Sequence, residues 1–479
     1  MCRLKLIFLI PSIIFVFSCT KDSEKEKPNI LFIFADDQTY HGVHALGNDE
    51  IITPNLDKLA RSGVTFTHTY NMGAWHGAVC VASRAMLNSG RFIWHIKDIA
   101  DSGYPGFKEK GMFWSQMMEQ AGYDTYITGK WHVNYPADSI FQTVSHIRPG
   151  MPPTVEEAYN RPQSEKDSAW LPWDVKNGGY WQGGKHWSEV VGDDAISFLD
   201  QAKTSTKPFF MYIAFNAPHD PRQSPKEFVE MYPPENIAIP ESFLKMYPYK
   251  DSIGCGPDLR DERLAPFPRT EYSVKAHRQE YYAIITHLDQ QIGRIINHLK
   301  ETGQDKNTYI LFSADHGLAV GNHGLIGKQN MYDHSMRVPC ILVGPNIPEN
   351  EKRDMQIYLQ DLMATSLDIA GIEKPEYVEF NSLLPLISNK ADKGGYPEIY
   401  GTYMNLQRML RTDNYKLIVY PRAKVIRLYD IKNDPLEMND LAQNSDSPEI
   451  IKDLAHKLKQ QQQLMNDPLD LSPYFPELF

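Results

Sequence analysis

Apolar residues in this chain first gather into a run of strand length at Ile30–Ala35, opened by Pro28-Asn29 and closed by Asp36-Asp37. Runs of similar length and β-branched or aromatic character fall at Tyr123–Thr128, Phe209–Phe215, Thr308–Phe312 and Cys340–Val343. Between them apolar positions recur at helical spacing. Thr53-Pro54-Asn55-Leu56 reads as a helix start with a stop at Gly63, and Phe113–Gln120 stops at Gly122. Ser188–Ala202 and Glu271–Lys300 are further helices, the second ended by Gly303. This alternation, up to about residue 375, predicts an α/β fold: a large, mostly parallel sheet sandwiched by helices. From 376 the pattern changes to Glu398–Tyr403, Gln407–Thr412, Tyr415–Tyr420 and Lys424–Tyr429, short strands joined by tight turns, then an amphipathic helix over Pro448–Met465. That order predicts a small C-terminal antiparallel α+β subdomain, so the chain divides at 28–375 and 376–479. Residues 135–190 and 221–270, rich in Pro and poor in periodicity, read as long excursions from the sheet.

The first 27 residues stand apart. Arg3 and Lys5 precede an apolar stretch, Ile7–Phe17, too short to span a bilayer comfortably. Val16-Phe17-Ser18-Cys19 resembles a bacterial lipobox, with Phe17 where a small residue is preferred. Residues 1–18 are then a lipoprotein signal peptide, Cys19 carries the lipid, and 19–27 is a charged tether. Plain secretion with a cleaved signal is the other reading. Either way the protein is exported, in the first case as a periplasmic or cell-surface lipoprotein of a Gram-negative bacterium. The net charge of −11, with no basic stripe, excludes a nucleic-acid partner. Five cysteines with no C-x-x-C pair form neither a zinc site nor a disulfide framework, which leaves Cys80 a thiol that invites a chemical explanation.

Chemistry-bearing residues collect where strands end. Asp36-Asp37 repel each other unless a cation lies between them, and a hard divalent ion is the natural candidate; a helix N-cap is the ordinary alternative. In C-V-A-S-R, Cys80 and Arg84 share one face of a helix, the thiol at its positive end and the guanidinium suited to a tetrahedral oxyanion. A buried structural Cys followed by a surface Arg reads equally well. Gly129-Lys130-Trp131-His132 ends a strand, and in extended backbone Lys130 and His132 point the same way. Lys can neutralise an oxyanion and His can move a proton, although such a pair also suits a surface turn. Prolines bracket His219, and Asp315-His316-Gly317 sets a second carboxylate beside an imidazole. Gly321–Gly327 is a glycine-rich loop leading to Lys328.

Taken in order, Asp36-Asp37, C-V-A-S-R, Gly129-Lys130-Trp131-His132, Pro218-His219, Asp315-His316-Gly317 and Lys328 resemble a type I sulfatase, the formylglycine-dependent branch of the alkaline phosphatase-like superfamily. The resemblance covers almost the whole mature chain. It implies that a maturation enzyme converts Cys80 to formylglycine, whose hydrate attacks sulfur and takes the sulfate as a covalent ester. It further implies that Arg84, Lys130 and Lys328 hold sulfate oxygens and that His219 protonates the leaving oxygen. His132 would take a proton so that sulfate leaves. Asp36, Asp37, Asp315 and His316, with residue 80, would bind one divalent cation, expected to be calcium. Two positions depart from the commonest pattern: Ala82 where Pro is usual, and His316 where Asn is frequent. An imidazole is a less typical calcium ligand than an oxygen.

The implied activity is that of a sulfuric ester hydrolase: an exo-acting carbohydrate sulfatase with a sulfated oligosaccharide substrate. Trp75, His76 and His95, flanking the nucleophile stretch, are candidates for sugar contacts or, equally, for packing. The competing readings are a phosphonate or phosphate ester hydrolase of the same superfamily and a non-catalytic glycan-binding lipoprotein whose Cys80 is never converted.

Overall fold

The computed structural model describes residues 27–388 and 394–479. The expected signal peptide, Cys19 and most of the tether lie outside the described residues. Among those described, no helix is long and apolar enough to cross a membrane.

The Asn29–Ala35 strand is the middle of the molecule. Ile30, Leu31, Phe32, Ile33 and Phe34 are all fully buried, so both faces of the strand are covered. It pairs in parallel with Phe209–Ala214 on one side and Thr308–Ala314 on the other. Asp124–Lys130 and then Thr143–Arg148 extend the sheet in parallel beyond Phe209–Ala214. Beyond Thr308–Ala314 lies Cys340–Val343, antiparallel to both its neighbours, then Val64–Tyr70 and finally Glu351–Tyr358, parallel to Val64–Tyr70. The large sheet is thus mostly parallel, as the alternation predicts.

Four of its strands have no counterpart in the expected set: Val64–Tyr70, the two-residue Arg337–Val338 that pairs with it, Thr143–Arg148 and Glu351–Tyr358. The last two close the sheet's two ends, and both carry charged or polar residues with much surface exposed. Edge strands are blunted in this way, which erases the apolar run that marks a central strand.

The C-terminal segment forms a second sheet in which Val425–Asp430, Tyr415–Tyr420, Gln407–Arg411 and Ile399–Tyr403 are antiparallel in sequence. It is not purely antiparallel. Gly73–Ala74, just before the Cys80 helix, joins its edge in parallel with Ile399–Tyr403. Gly73 sits at φ +90°, and a Cβ there would come within 1.9 Å of the Thr402 carbonyl oxygen, so only glycine permits the pairing. The second sheet is therefore fastened directly behind the helix that carries Cys80.

Candidate active site

The carboxyl ends of parallel strands deliver the polar groups to one edge of the large sheet. Past Ala35 the ladder continues for one more residue on each side: the Asp36 amide donates to Ala217 O at 3.1 Å, and the Asp315 amide donates to Ala35 O at 3.2 Å. Backbone pairing thus fixes both carboxylates. Asp37 turns away in the left-handed region (φ 68°), donating its N–H to Asp315 Oδ1 at 3.2 Å and accepting at its carbonyl from the Tyr281 hydroxyl at 2.7 Å.

Cys80 lies in the first turn of the Val79–Ser89 helix, and Arg84 is buried one turn later on the same face. Arg84 Nε donates to Asp315 Oδ2 at 2.9 Å and Nη1 donates to the Lys130 carbonyl at 2.7 Å, while the guanidinium lies over the Phe34 ring. Its Nη2 has no hydrogen-bond partner and stands 4.0 Å from Asp36 Oδ1, itself without one. An unpaired donor and an unpaired acceptor at one buried point are costly unless ligands complete them. An anion at Arg84 Nη2 and a cation at Asp36 Oδ1 are the species that suit them.

His132 places Nδ1 3.2 Å from Cys80 Sγ. The extended-backbone expectation for Lys130 and His132 does not hold. The strand ends at Lys130, His132 adopts φ 52°, and Gly150 packs so closely on its ring that a Cβ there would reach 2.3 Å from Cε1. Both side chains still face the site, because the turn replaces the alternation. Lys130 Nζ is bonded to Asp36, and Lys328 Nζ donates to both oxygens of Asp37 at 2.7 and 2.6 Å. His219 Nε2 lies 3.7 Å from Asp37 Oδ2, and Nδ1–H donates to the Asp220 carbonyl at 2.7 Å. His316 donates Nδ1–H to the Gly317 carbonyl at 2.9 Å, which leaves Nε2 as its free ligand atom.

Among the described residues, metal-competent atoms gather in two groups, Asp36 with Cys80 and Asp315, and Asp37 with His219 and Asp220. His316 falls in neither. Three buried carboxylates (Asp36, Asp37, Asp315) therefore face three buried cations (Arg84, Lys130, Lys328), and a divalent ion added to the carboxylates would leave net positive charge for an oxyanion. The donor set fits such an ion.

Titration follows this geometry. Burial, with Asp315 close by, pushes the Asp36 carboxyl well up, and burial raises Asp37 to about 6 against the pull of Lys328. Burial would raise Asp315 too, yet Arg84 and Lys130 hold it below the ordinary carboxylate range. Burial, reinforced by Lys130 and Arg84, lowers His132 to about 2, and burial with Lys328 pushes His219 well down. Burial also raises the Cys80 thiol.

Of the candidate sugar contacts, Trp75 donates Nε1–H to Asp101 at 3.0 Å. His76 lines a cavity of about 370 Å³ with Val81, Ala100, Asp101, Tyr104 and Asn134, beside the nucleophile helix and the turn after His132. His95 does not join them; its Nδ1 bonds Glu379 at 2.5 Å. Asp220, Arg260, Asp261 and Gln329, which stand behind His219 and Lys328, are not among the residues that the sequence motifs single out. Asp220 adjoins His219 and was open to notice. The others lie in or beyond an insertion without periodicity.

Comparison with known proteins agrees with this arrangement. The family model described as Sulfatase matches residues 28–372, and one described as N-sulphoglucosamine sulphohydrolase, C-terminal, matches 321–464. An N-acetylglucosamine-6-O-sulfatase of Bacteroides thetaiotaomicron is 26% identical, the alignment covering 94% of this chain and 89% of that protein. A solved complex of BT4656 with its substrate D-glucosamine-2-N,6-O-disulfate superposes with a TM-score of 0.73 at 23% identity, over 94% of this chain and 100% of that one. The phosphonate monoester hydrolase of Agrobacterium radiobacter shares the fold with a TM-score of 0.70 at 19% identity, over 92% and 96% of the two chains. A family model that spans most of the chain, over a site in which a buried Cys, Arg and three carboxylates converge, makes this protein a member of the sulfatase family, a hydrolase of sulfate esters on the alkaline phosphatase-like fold.

Proposed function

We propose that the protein is an exo-acting carbohydrate sulfatase whose nucleophile is formylglycine made from Cys80. The observation that carries this reading is the setting of Cys80: in the first helical turn, 3.2 Å from a neutral His132, with Arg84 Nη2 unpaired one turn on. As a thiol, residue 80 is a poor nucleophile, since burial raises its pKa. Conversion to the aldehyde hydrate would supply an oxygen nucleophile at the same place.

The remaining groups have roles that follow from where they stand. Arg84, Lys130 and Lys328 hold sulfate oxygens and offset charge that develops on them. His219 presents Nε2 to the leaving oxygen and protonates it as the S–O bond breaks. His132 accepts a proton at Nδ1 from the nucleophile's hydroxyl. Asp36 and Asp315, grouped with residue 80, would hold one divalent cation, proposed to be calcium, which would act as a Lewis acid on a sulfate oxygen; Asp37 and His316, next to them in the chain, are proposed to complete its donor set. The cavity of about 370 Å³ at His76 is of a size that small-ligand sites have, roughly 300–1,000 Å³, and we place the sugar ring there, with Asp101 and Asn134 as hydroxyl partners. Names among the relatives, the N-acetylglucosamine-6-O-sulfatase above all, support a sulfated amino sugar. The leader supports export and a lipid anchor at Cys19.

Peptide mass spectrometry across residues 75–91, on protein from a host able to convert Cys80, tests the nucleophile; a loss of about 18 Da is expected. The converted enzyme should then release sulfate from sulfated monosaccharides. Faster turnover of phosphonate monoesters would favour the reading that the shared fold with a phosphonate hydrolase keeps open. An unmodified thiol together with glycan binding would favour a non-catalytic protein.

A further inference from the structure

Behind His219 and Lys328 the 221–270 insertion lays down a chain of alternating charge. Arg260 spreads its guanidinium across two carboxylates. Nη1 bonds Asp220 Oδ2, Nη2 donates to Asp220 Oδ1 at 3.2 Å, and Nη2 also reaches Asp261 Oδ1 at 2.5 Å. Each carboxylate then touches one half of the leaving-group side of the site. The Asp220 carbonyl accepts Nδ1–H of His219 at 2.7 Å, and its Oδ1 lies 3.3 Å from the same nitrogen. Asp261 Oδ2 lies 4.0 Å from Lys328 Nζ and accepts from Gln329 Nε2 at 2.9 Å, while Gln329 Oε1 accepts the Lys328 amide at 3.0 Å. Gln329 Nε2 also donates to Gly77 O at 3.2 Å, three residues before the nucleophile.

We propose that Arg260 is a positioning residue for the leaving-group acid: by clamping Asp220 and Asp261 it holds His219 in one tautomer and ring orientation, Nε2 toward the substrate, and keeps Lys328 beside it. The inference rests on the sulfatase reading in which His219 protonates the departing oxygen. In that step the S–O bond breaks, its electron pair passes to the ester oxygen, and the Nε2 proton neutralises it. The ring gives that proton as the imidazolium, both nitrogens protonated, and is left as the neutral Nδ1–H tautomer that Asp220 holds. Asp220 cannot swing away, since both its oxygens are held by Arg260. The same contacts explain why Asp220, although grouped with Asp37 and His219, is not a free metal ligand. Arg260 itself keeps 31% of its side chain exposed, against 5% and 6% for the two carboxylates. It closes the cluster from outside, and water can reach its outer edge.

A positioning role separates from a structural one by leaving-group dependence. An ester with a good leaving group needs little protonation, whereas a sugar sulfate needs it fully. With the full, converted chain, Arg260→Gln is expected to lower kcat on a sugar or alkyl sulfate by roughly 30- to 100-fold. On 4-nitrophenyl sulfate it should lower kcat less than about 3-fold, with KM for both nearly unchanged. Arg260→Lys, which keeps the charge but not the fork, should fall between wild type and Arg260→Gln. Equal losses on both esters, or losses confined to KM, would overturn the proposal. A second readout does not depend on turnover. Two-bond ¹⁵N–¹H correlation of the His-labelled chain, with His219→Gln for assignment, should show the Nδ1–H tautomer in wild type and its loss in Arg260→Gln. An unchanged tautomer refutes the clamp. If the wild type cleaves phosphonates and no sulfate ester, the sulfatase reading fails, while the leaving-group contrast among phosphonate esters and the tautomer still decide the role of Arg260.

Discussion

Arg84 Nε and Asp315 Oδ2 meet at 2.9 Å across 231 positions of chain, neither side chain exposing any surface. The pair locks the first turns of the Cys80 helix to the end of the Thr308–Ala314 strand. Buried pairs of this kind are costly to break from one side, because the remaining charge is left unsolvated. Asp315→Asn should therefore destabilise the fold by about 3–5 kcal/mol, read as a lower urea midpoint. Sulfate release should fall with it by more than about a hundredfold, since the same substitution frees Arg84 to turn from the substrate.

Stability should also report the cation. Asp36 Oδ1 and Arg84 Nη2 stand unpaired 4.0 Å apart, and a ligand that binds only the folded state stabilises it in proportion to the logarithm of its concentration. After chelation and dialysis, calcium should raise the melting temperature and restore activity together, more effectively than magnesium. Asp36→Asn should abolish the calcium-dependent rise. A rise that survives the substitution would place the ion elsewhere.

How much of this was legible in the chain depends on where each residue stands. Ile30–Ala35 and Thr308–Phe312 announced themselves because a strand buried on both faces is mostly apolar, and the first charged residues after them, Asp36 and Asp315, mark the functional edge. Cys80 and Arg84 were readable as a pair because a helix has a fixed period. The relation between Lys130 and His132 was not, since a left-handed residue breaks the alternation the reading assumed. Glu351–Tyr358 escaped because its charged first half serves a sheet edge. Gly73–Ala74 is too short to carry any pattern, and its role is set by Thr402, hundreds of residues away. Arg260 lies among prolines and turns, where only tertiary structure brings it to Asp220.

The two histidines that flank the nucleophile stretch should separate cleanly. His76 borders the cavity beside Val81 and Asn134, whereas His95 is turned to Glu379, which also accepts the Phe92 amide at the start of the Ile93–Asp101 helix. His76→Ala is expected to raise KM for a sugar sulfate about tenfold, the worth of one good hydrogen bond, and to leave 4-nitrophenyl sulfate unchanged. His95→Ala should leave both KM values alone and cost about 1–2 kcal/mol of stability. A KM effect from His95 would mean that the sugar lies on the other side of the helix.

Acid should weaken the fold through histidines that the chemistry does not use, and His277 is the clearest of them. It is fully buried; Nε2–H donates to the Arg161 carbonyl at 2.9 Å, and Nδ1 accepts from Arg222 Nη1 at 3.0 Å. Both nitrogens are thus committed in the neutral ring. Burial first, then the Arg161 and Arg222 charges, hold its pKa well below the ordinary histidine value. An unfolded histidine takes up its proton near pH 6.5, while the folded one resists. The stabilisation is therefore complete above about pH 6.5 and is lost progressively as pH falls toward the folded value. The urea midpoint should drop between pH 7.5 and 5.0. In His277→Gln, whose amide does not titrate, the drop should be smaller, although the variant starts from a lower midpoint at pH 7.5. Identical pH slopes for the two proteins would show that His277 does not carry this part of the acid sensitivity.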